Sequence, residues 1–170
     1  MNFRLFGVDV EIEPGFWFMS VIFGLHYFDI SRGATGLFPG LIWVLVVLVS
    51  VLVHEYGHAF AIRRHRIEPE ITLYMMGGKT TWRALLPIKR GDLVLISLAG
   101  PFAGFFLAAI VYALDHFILA RAASLPELVH FAVRQLVFVN VFWGIFNLVP
   151  VLPLDGGHVL EHALGPKRIR

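Results

Sequence analysis

Two histidines stand four residues apart beside a glutamate, at His54, Glu55 and His58. Because residues four apart lie on one face of a helix, the two imidazoles can direct nitrogens at the same zinc ion. The glutamate lies next to that face and can take a proton from a zinc-bound water. The spacing therefore predicts a helix that carries two metal ligands and the general base of a hydrolytic site.

A hydrolytic zinc site usually has three protein ligands and leaves its fourth position to water. The candidate third ligand is Asp155, which follows two prolines and precedes Gly156 and Gly157. Prolines end a helix and glycines permit a sharp turn, so this carboxylate can be turned toward the protein interior. Three rival ligands lie beyond that break, and Glu161 is the strongest of them. The other two are His158 and His162.

The composition indicates where such a site must be built. Of 170 residues, 58% are hydrophobic and only 15% are charged, against roughly 25% charged in an ordinary soluble domain. So few charges could not cover so much apolar surface in water, which predicts an integral membrane protein. The chain has no cysteine, which excludes disulfides and thiolate metal ligands.

Apolar runs long enough to cross about 30 Å of hydrocarbon predict about four transmembrane helices. We expect them at residues 16–30, 37–62, 93–120 and 128–152, with the third interrupted at Gly100-Pro101. Two further segments suggest strands: residues 3–12 as one short strand, and residues 67–83 as a membrane-associated β-hairpin that turns at Gly77-Gly78. The predicted fold class is a mostly α polytopic membrane protein, with residues 1–170 as a single core.

The distribution of Lys and Arg predicts the orientation of this core. Most of the 14 basic residues lie before the first predicted span, between the second and third, or after the fourth. These residues are Arg4, Arg63, Arg64, Arg66, Lys79, Arg83, Lys89, Arg90, Lys167, Arg168 and Arg170. The positive-inside rule then places both termini in the cytoplasm. The second and fourth spans both run inward, so the metal motifs at their ends should open toward the cytoplasm as well.

The basic residues thus report orientation in a multi-pass protein of the cell membrane. The formal net charge is only +2, which makes nucleic acid a poor candidate as a partner.

Taken together, these motifs resemble the site-2 protease family of intramembrane zinc metalloproteases. Residues 54–58 resemble the family's HExxH helix, and the segment beginning at Asn147 matches Asn-x-x-Pro-x-x-Pro-x-Asp-Gly position by position. Gly77-Gly78 resembles the family's glycine-containing hairpin, and Leu98–Pro101 its small-residue turn. The resemblance covers nearly the whole chain, but no PDZ or cystathionine-β-synthase-like domain is seen.

The resemblance implies cleavage of a transmembrane helix in another membrane protein, with one Zn²⁺ per chain and the lipid bilayer as surroundings. It implies that zinc is held by His54, His58 and Asp155, and that Glu55 activates the water.

The resemblance also implies two contacts with the substrate, and helix spacing adds a third candidate. Asn147 would bind it or stabilise the oxyanion, and the hairpin at Gly77 and Gly78 would pair with an unwound substrate strand. Asn140 lies seven residues before Asn147 and can face the same side of its helix. It is a candidate second substrate contact, although we favour an interhelical hydrogen bond.

Two other functions remain open from the residues alone. One is a membrane zinc protease that acts on soluble or interfacial peptides, with Glu161 as the third ligand. The other is a non-proteolytic membrane chaperone or scaffold with a structural metal. The presence of Glu55 argues against the latter, because a structural zinc site needs no base and normally has four protein ligands.

Overall fold

The computed structural model describes residues 1–83, 87–117 and 126–165. Its strands and helices, in chain order, are β1 (Asn2–Leu5), β2 (Val8–Ile12), α1 (Pro14–Phe23), α2 (Phe38–Arg63), β3 (Pro69–Tyr74), β4 (Gly77–Trp82), α3 (Arg90–Phe117), α4 (Glu127–Asn147) and α5 (Asp155–Leu164).

Three helices of the described residues are long and apolar enough to cross a membrane, namely α2, α3 and α4. Their 26, 28 and 21 residues correspond to about 39, 42 and 32 Å at 1.5 Å per residue. They lie where the second, third and fourth spans were predicted, with two differences. Helix α3 continues through Gly100-Pro101 without interruption, and α4 ends at Asn147 rather than near residue 152. Residues 118–120 of the third predicted span lie outside the described residues.

The first predicted span, residues 16–30, is wrong as a membrane crossing. Helix α1 has 10 residues, which reach only about 15 Å, and two 3₁₀ segments at Leu25–Tyr27 and Ile30–Leu37 connect it to α2. The indole of Trp43 lies where a side chain on Gly24 would stand, and its Nε1 donates to the Ser20 carbonyl at 3.0 Å. Helix α1 therefore ends early, at the point where α2 packs against it. Apolar composition alone does not reveal this end.

The four strands form one sheet in the order β1-β2-β3-β4. The predicted single strand at residues 3–12 is instead a hairpin of β1 and β2, in which Phe6 and Gly7 both have positive φ, as tight hairpin turns require. Strand β2 pairs in parallel with β3, and β3 pairs antiparallel with β4. The predicted hairpin at residues 67–83 is confirmed by β3 and β4, and β4 is an edge strand of the sheet.

The sheet packs one face against the second half of α2. Alternate residues of the two central strands are buried, including Val10 of β2 and Ile71 of β3, and they join a core with Tyr56 and Ala59 of α2. This period-two alternation is what a sheet with one packed face requires. The core therefore holds the hairpin of β3 and β4 beside the helix that carries the histidine pair.

The opposite surfaces of the long helices remain apolar and exposed. Each of two helices carries a pair of phenylalanines spaced four residues apart, and each of these residues is more than half exposed. The pairs are Phe102 and Phe106 on α3, and Phe138 and Phe142 on α4. Exposed aromatic rows of this extent suit contact with lipid rather than water. The fold is that of a multi-pass membrane protein, mostly helical, with a short four-stranded sheet.

Candidate metal centre

The histidine pair lies on α2 where this helix meets α3. His54 and His58 are 3% and 7% exposed, and their Nε2 atoms are 3.2 Å apart. Gly100 of α3 leaves the space for them: a Cβ there would lie 2.8 Å from His54 Nε2 and closer still to His58 Nε2. The small-residue segment of α3 thus forms one wall of the site, which explains why a glycine occupies the middle of that helix.

The orientation of His58 is set by a backbone carbonyl. Its Nδ1 lies 2.7 Å from the Ile96 carbonyl oxygen. Because a carbonyl can only accept, Nδ1 carries the proton in this bond and Nε2 keeps a lone pair directed at the centre. A metal-binding histidine is usually oriented by such a bond from its other nitrogen. Nothing in the sequence pattern identified Ile96, because a backbone acceptor leaves no trace in residue type.

Asp155, the first residue of α5, brings its carboxylate to both imidazoles. Its Oδ2 lies 3.0 Å from His54 Nε2, and its Oδ1 lies 3.3 Å from His58 Nε2. The segment between α4 and α5 makes this possible, since a side chain on Gly156 would collide with the Leu148 carbonyl and one on Gly157 would lie 2.6 Å from Val151. The two glycines are helical here and allow close packing of the preceding loop rather than a turn.

These three side chains fit a zinc ion. Bonds of about 2.0–2.1 Å in a tetrahedral site place ligand atoms about 3.3 Å apart, close to the distances between these atoms. Asp155 Oδ2 is buried without a hydrogen-bond partner among the described residues, and its neighbour at 3.0 Å is His54 Nε2. Nitrogen and carboxylate oxygen are ordinary zinc ligands. A cation at this point would satisfy acceptors that otherwise face one another.

Glu55 is next to the histidine pair and is held by the edge strand. Its side chain is buried, and its Oε2 accepts a hydrogen bond from Thr80 Oγ1 of β4 at 2.7 Å. Thr80 Oγ1 also lies 3.2 Å from the Glu55 carbonyl oxygen. Oε1 is left without this restraint. Thr80 escaped the sequence-based prediction because a threonine in a strand is common and its contact crosses 25 positions.

The glycine pair of the hairpin does not form the turn, which corrects the predicted strand–Gly-Gly–strand arrangement. The two turn residues are Met75 and Met76, and Gly77 and Gly78 begin β4. A Cβ on Gly78 would lie 2.5 Å from Glu55 Oε1, and one on Gly77, where φ is +124°, would lie 2.6 Å from the Trp143 ring. The glycines therefore allow the strand to approach Glu55 on α2 and Trp143 on α4.

The two asparagines of α4 are engaged within the helical core. Asn147 Nδ2 donates to the Trp143 carbonyl at 2.9 Å. Asn140, which is 2% exposed, donates from Nδ2 to Ser50 Oγ of α2 at 2.8 Å and to the Leu136 carbonyl. The contact with Ser50 is the interhelical hydrogen bond favoured from the sequence.

The rival ligands of α5 form a separate group. His158, Glu161 and His162 lie near one another on the surface of that helix, whereas His54 and His58 have Asp155 as their neighbouring carboxylate. The structure thus brings together the two histidines and Asp155, with Glu55 beside them, and it does not bring Glu161 to the same point.

Comparisons with known proteins agree with this arrangement. The sequence profile of Peptidase family M50 matches residues 117–169. A zinc metalloprotease of Methanocaldococcus jannaschii is 29% identical over 166 residues, which make up 97% of this chain and 45% of the relative. A second relative, from Synechocystis sp., is 30% identical over 172 residues, covering 92% of this chain and 42% of its own length. The chain thus spans less than half the length of these two relatives.

Among solved structures, the site-2 protease from Methanocaldococcus jannaschii has the same fold, with a TM-score of 0.70 and 24% sequence identity. The similarity covers 99% of this chain and 73% of that one. The profile match, the relatives and the clustered zinc-type ligands lead to one conclusion: the chain is homologous to zinc metalloproteases, and its residues 117–169 match peptidase family M50.

Proposed function

We propose that this chain is a zinc-dependent endopeptidase that cleaves a peptide bond within the transmembrane helix of a membrane-protein substrate. The observation that carries the proposal is the meeting of Asp155 with His54 and His58, with Glu55 adjoining them. The match of residues 117–169 to peptidase family M50 supports the type of chemistry. A general base beside three ligands suits a hydrolytic zinc, because a purely structural site would have no use for the base.

In this proposal His54, His58 and Asp155 hold one Zn²⁺. When bound, the ion lowers the pKa of a water and polarises the scissile carbonyl. Glu55 takes the proton of that water, and Oε1 is the oxygen suited to this step because Thr80 holds Oε2. The same carboxylic acid then passes the proton to the leaving amine.

Two groups near Glu55 are suited to hold the substrate. Strand β4 has β3 as its partner on one side, and an unwound substrate segment can add to the other edge by backbone hydrogen bonding. Gly77 and Gly78 begin this edge without side chains that would block the approach. Asn147 uses one hydrogen of its amide on the Trp143 carbonyl, and the second can be donated to the substrate or to the developing oxyanion.

In this proposal the apolar helices place the chain in a membrane, and the distribution of basic residues sets its orientation there. Arg63 ends α2 and Arg90 begins α3, so the basic segment between them lies at the end of α2 that carries the metal ligands. Under the positive-inside rule, the site opens toward the cytoplasmic side of the cell membrane.

The decisive experiment compares the wild type with Glu55→Gln on a panel of single-helix transmembrane substrates, with and without a chelator. Glu55→Gln keeps the size of the side chain and should keep bound zinc while it abolishes cleavage. Glu70→Gln, an exposed position on β3, is the matched control and should cleave as the wild type does. Equal turnover by the wild type and Glu55→Gln would overturn the proposal. Cleavage of soluble peptides but of no transmembrane substrate would support zinc-dependent peptide hydrolysis and would reject transmembrane helices as the substrate class.

A further inference from the structure

A second group of metal-ligand side chains lies on α5, outside the centre described above. It consists of His158, Glu161 and His162, whose ligand atoms all lie within 4.8 Å of one another. His158 Nδ1 is 3.4 Å from Glu161 Oε2, and the two imidazole rings are nearly parallel with centroids 6.2 Å apart. Two of these ligand atoms are thus already at about the 3.3 Å separation of a tetrahedral zinc site.

The spacing of these residues is that of a metal motif. Residues 158–162 read His-Val-Leu-Glu-His, which is H-x-x-E-H, the reverse of the order at residues 54–58. The histidines are again four apart and share one helix face, and Glu161 is one turn from His158 and adjacent to His162. The motif and the side-chain geometry therefore point to the same three residues.

We propose that His158, Glu161 and His162 form a second binding site for a divalent transition metal of the zinc type, open to the aqueous phase. The side chains of His158 and Glu161 are 44% and 56% exposed, so an ion can reach them without movement of the backbone. Imidazole with carboxylate suits Zn²⁺, Co²⁺ and Ni²⁺, and water fills the remaining positions. Because these ligands are partly or fully exposed to solvent, whereas His54 and His58 are buried, this site is weaker than the buried centre.

The position of this second site connects it to the first. Helix α5 begins at Asp155, and His158 and His162 lie about 4.5 and 10.5 Å further along its axis. An ion held by residues of successive turns braces the helix that presents Asp155. We expect binding at the second site to slow amide hydrogen exchange over residues 155–164, since it opposes fraying of this short helix.

The test is metal-binding stoichiometry, which does not depend on proteolysis. The purified chain of residues 1–170 in detergent is stripped of metal and titrated with Zn²⁺ by calorimetry, with bound metal counted by mass spectrometry. The wild type should bind about two equivalents, one tight and one weaker, whereas His158→Ala/His162→Ala should bind only the tight one. The control is His26→Ala/His65→Ala, which removes two exposed histidines from outside both groups.

Variants of the buried centre separate this proposal from the proposed protease function. His54→Ala should lose the tight equivalent and keep the weaker one, and Glu55→Gln should keep both. A wild type that binds one equivalent, or a double variant of α5 that binds as many as the control, would overturn the second site.

If the α5 double variant loses both equivalents, the single changes His158→Gln and His162→Gln decide. If each single variant loses only the weaker zinc equivalent, the second site is supported. Any other pattern of zinc binding rejects it.

Discussion

Gly78 offers the sharpest test of how the sheet positions Glu55, the proposed general base. A Cβ at this position would lie 2.5 Å from Glu55 Oε1 and 2.6 Å from its Cγ, whereas ordinary contacts begin at 3.4 Å. The carboxylate of Glu55 must therefore move by about 1 Å in Gly78→Ala, and a displacement of that size can cost about 10²-fold in rate. Glu55 cannot swing aside freely, because it is buried and accepts a hydrogen bond from Thr80.

The assay is cleavage of a fluorogenic transmembrane substrate, with bound zinc measured on the same preparation. We expect kcat to fall by about two orders of magnitude while zinc remains at the wild-type level, since the three atoms nearest to a Cβ at Gly78 all belong to Glu55. Gly91→Ala is the control, because a Cβ there meets nothing within 4 Å. Wild-type kcat in Gly78→Ala would refute the argument that the close approach of β4 sets the position of the base.

Four further predictions follow from other contacts. Gly100→Ala puts a methyl group between the two imidazoles, so it should lose zinc as well as activity, which metal analysis beside Gly91→Ala will show. Thr80→Val leaves a buried carboxylate oxygen without its donor, so we expect a loss of about 1–3 kcal/mol in stability and reduced kcat, both largely rescued by serine at this position. Asn140→Ala removes an interhelical hydrogen bond and should lower the thermal unfolding temperature with KM unchanged; a raised KM at unchanged stability would instead favour a substrate contact. Thr81→Pro disturbs the edge strand and should reduce cleavage with zinc retained, and unchanged turnover would argue against substrate pairing with this edge.

The elements of the membrane core could be predicted from the sequence wherever they depend on consecutive residues. A long apolar run must become a helix in lipid, because every backbone polar group has to be satisfied within the segment. This is why α2, α3 and α4 appear where the apolar runs predicted them. The prediction for α1 was wrong because its end depends on a contact between distant residues. Its residues are as apolar as those of a span, but the helix ends where Trp43 packs against Gly24.

The hairpin shows a similar division. Its two strands were evident from their residue types, but its turn lies at Met75-Met76 rather than at the glycines. Glycine is used both for turns and for close approach, and the sequence does not distinguish the two. The neighbours of Gly77 and Gly78, Trp143 and Glu55, come from distant parts of the chain. Their roles became clear once the helices and the sheet were in place.

For the metal centre, the sequence by itself determined the residue types and their local geometry. His54 and His58 share a face because a helix repeats every 3.6 residues, and Glu55 adjoins them for the same reason. The tertiary structure decided which carboxylate meets them, because Asp155 and Glu161 are equally suitable by chemistry and differ in where α5 begins and packs. It also decided that Thr80 holds Glu55, the proposed base, and that Ile96 orients His58, a proposed ligand, since hydrogen bonds between distant segments depend on their packing and leave no pattern in the sequence.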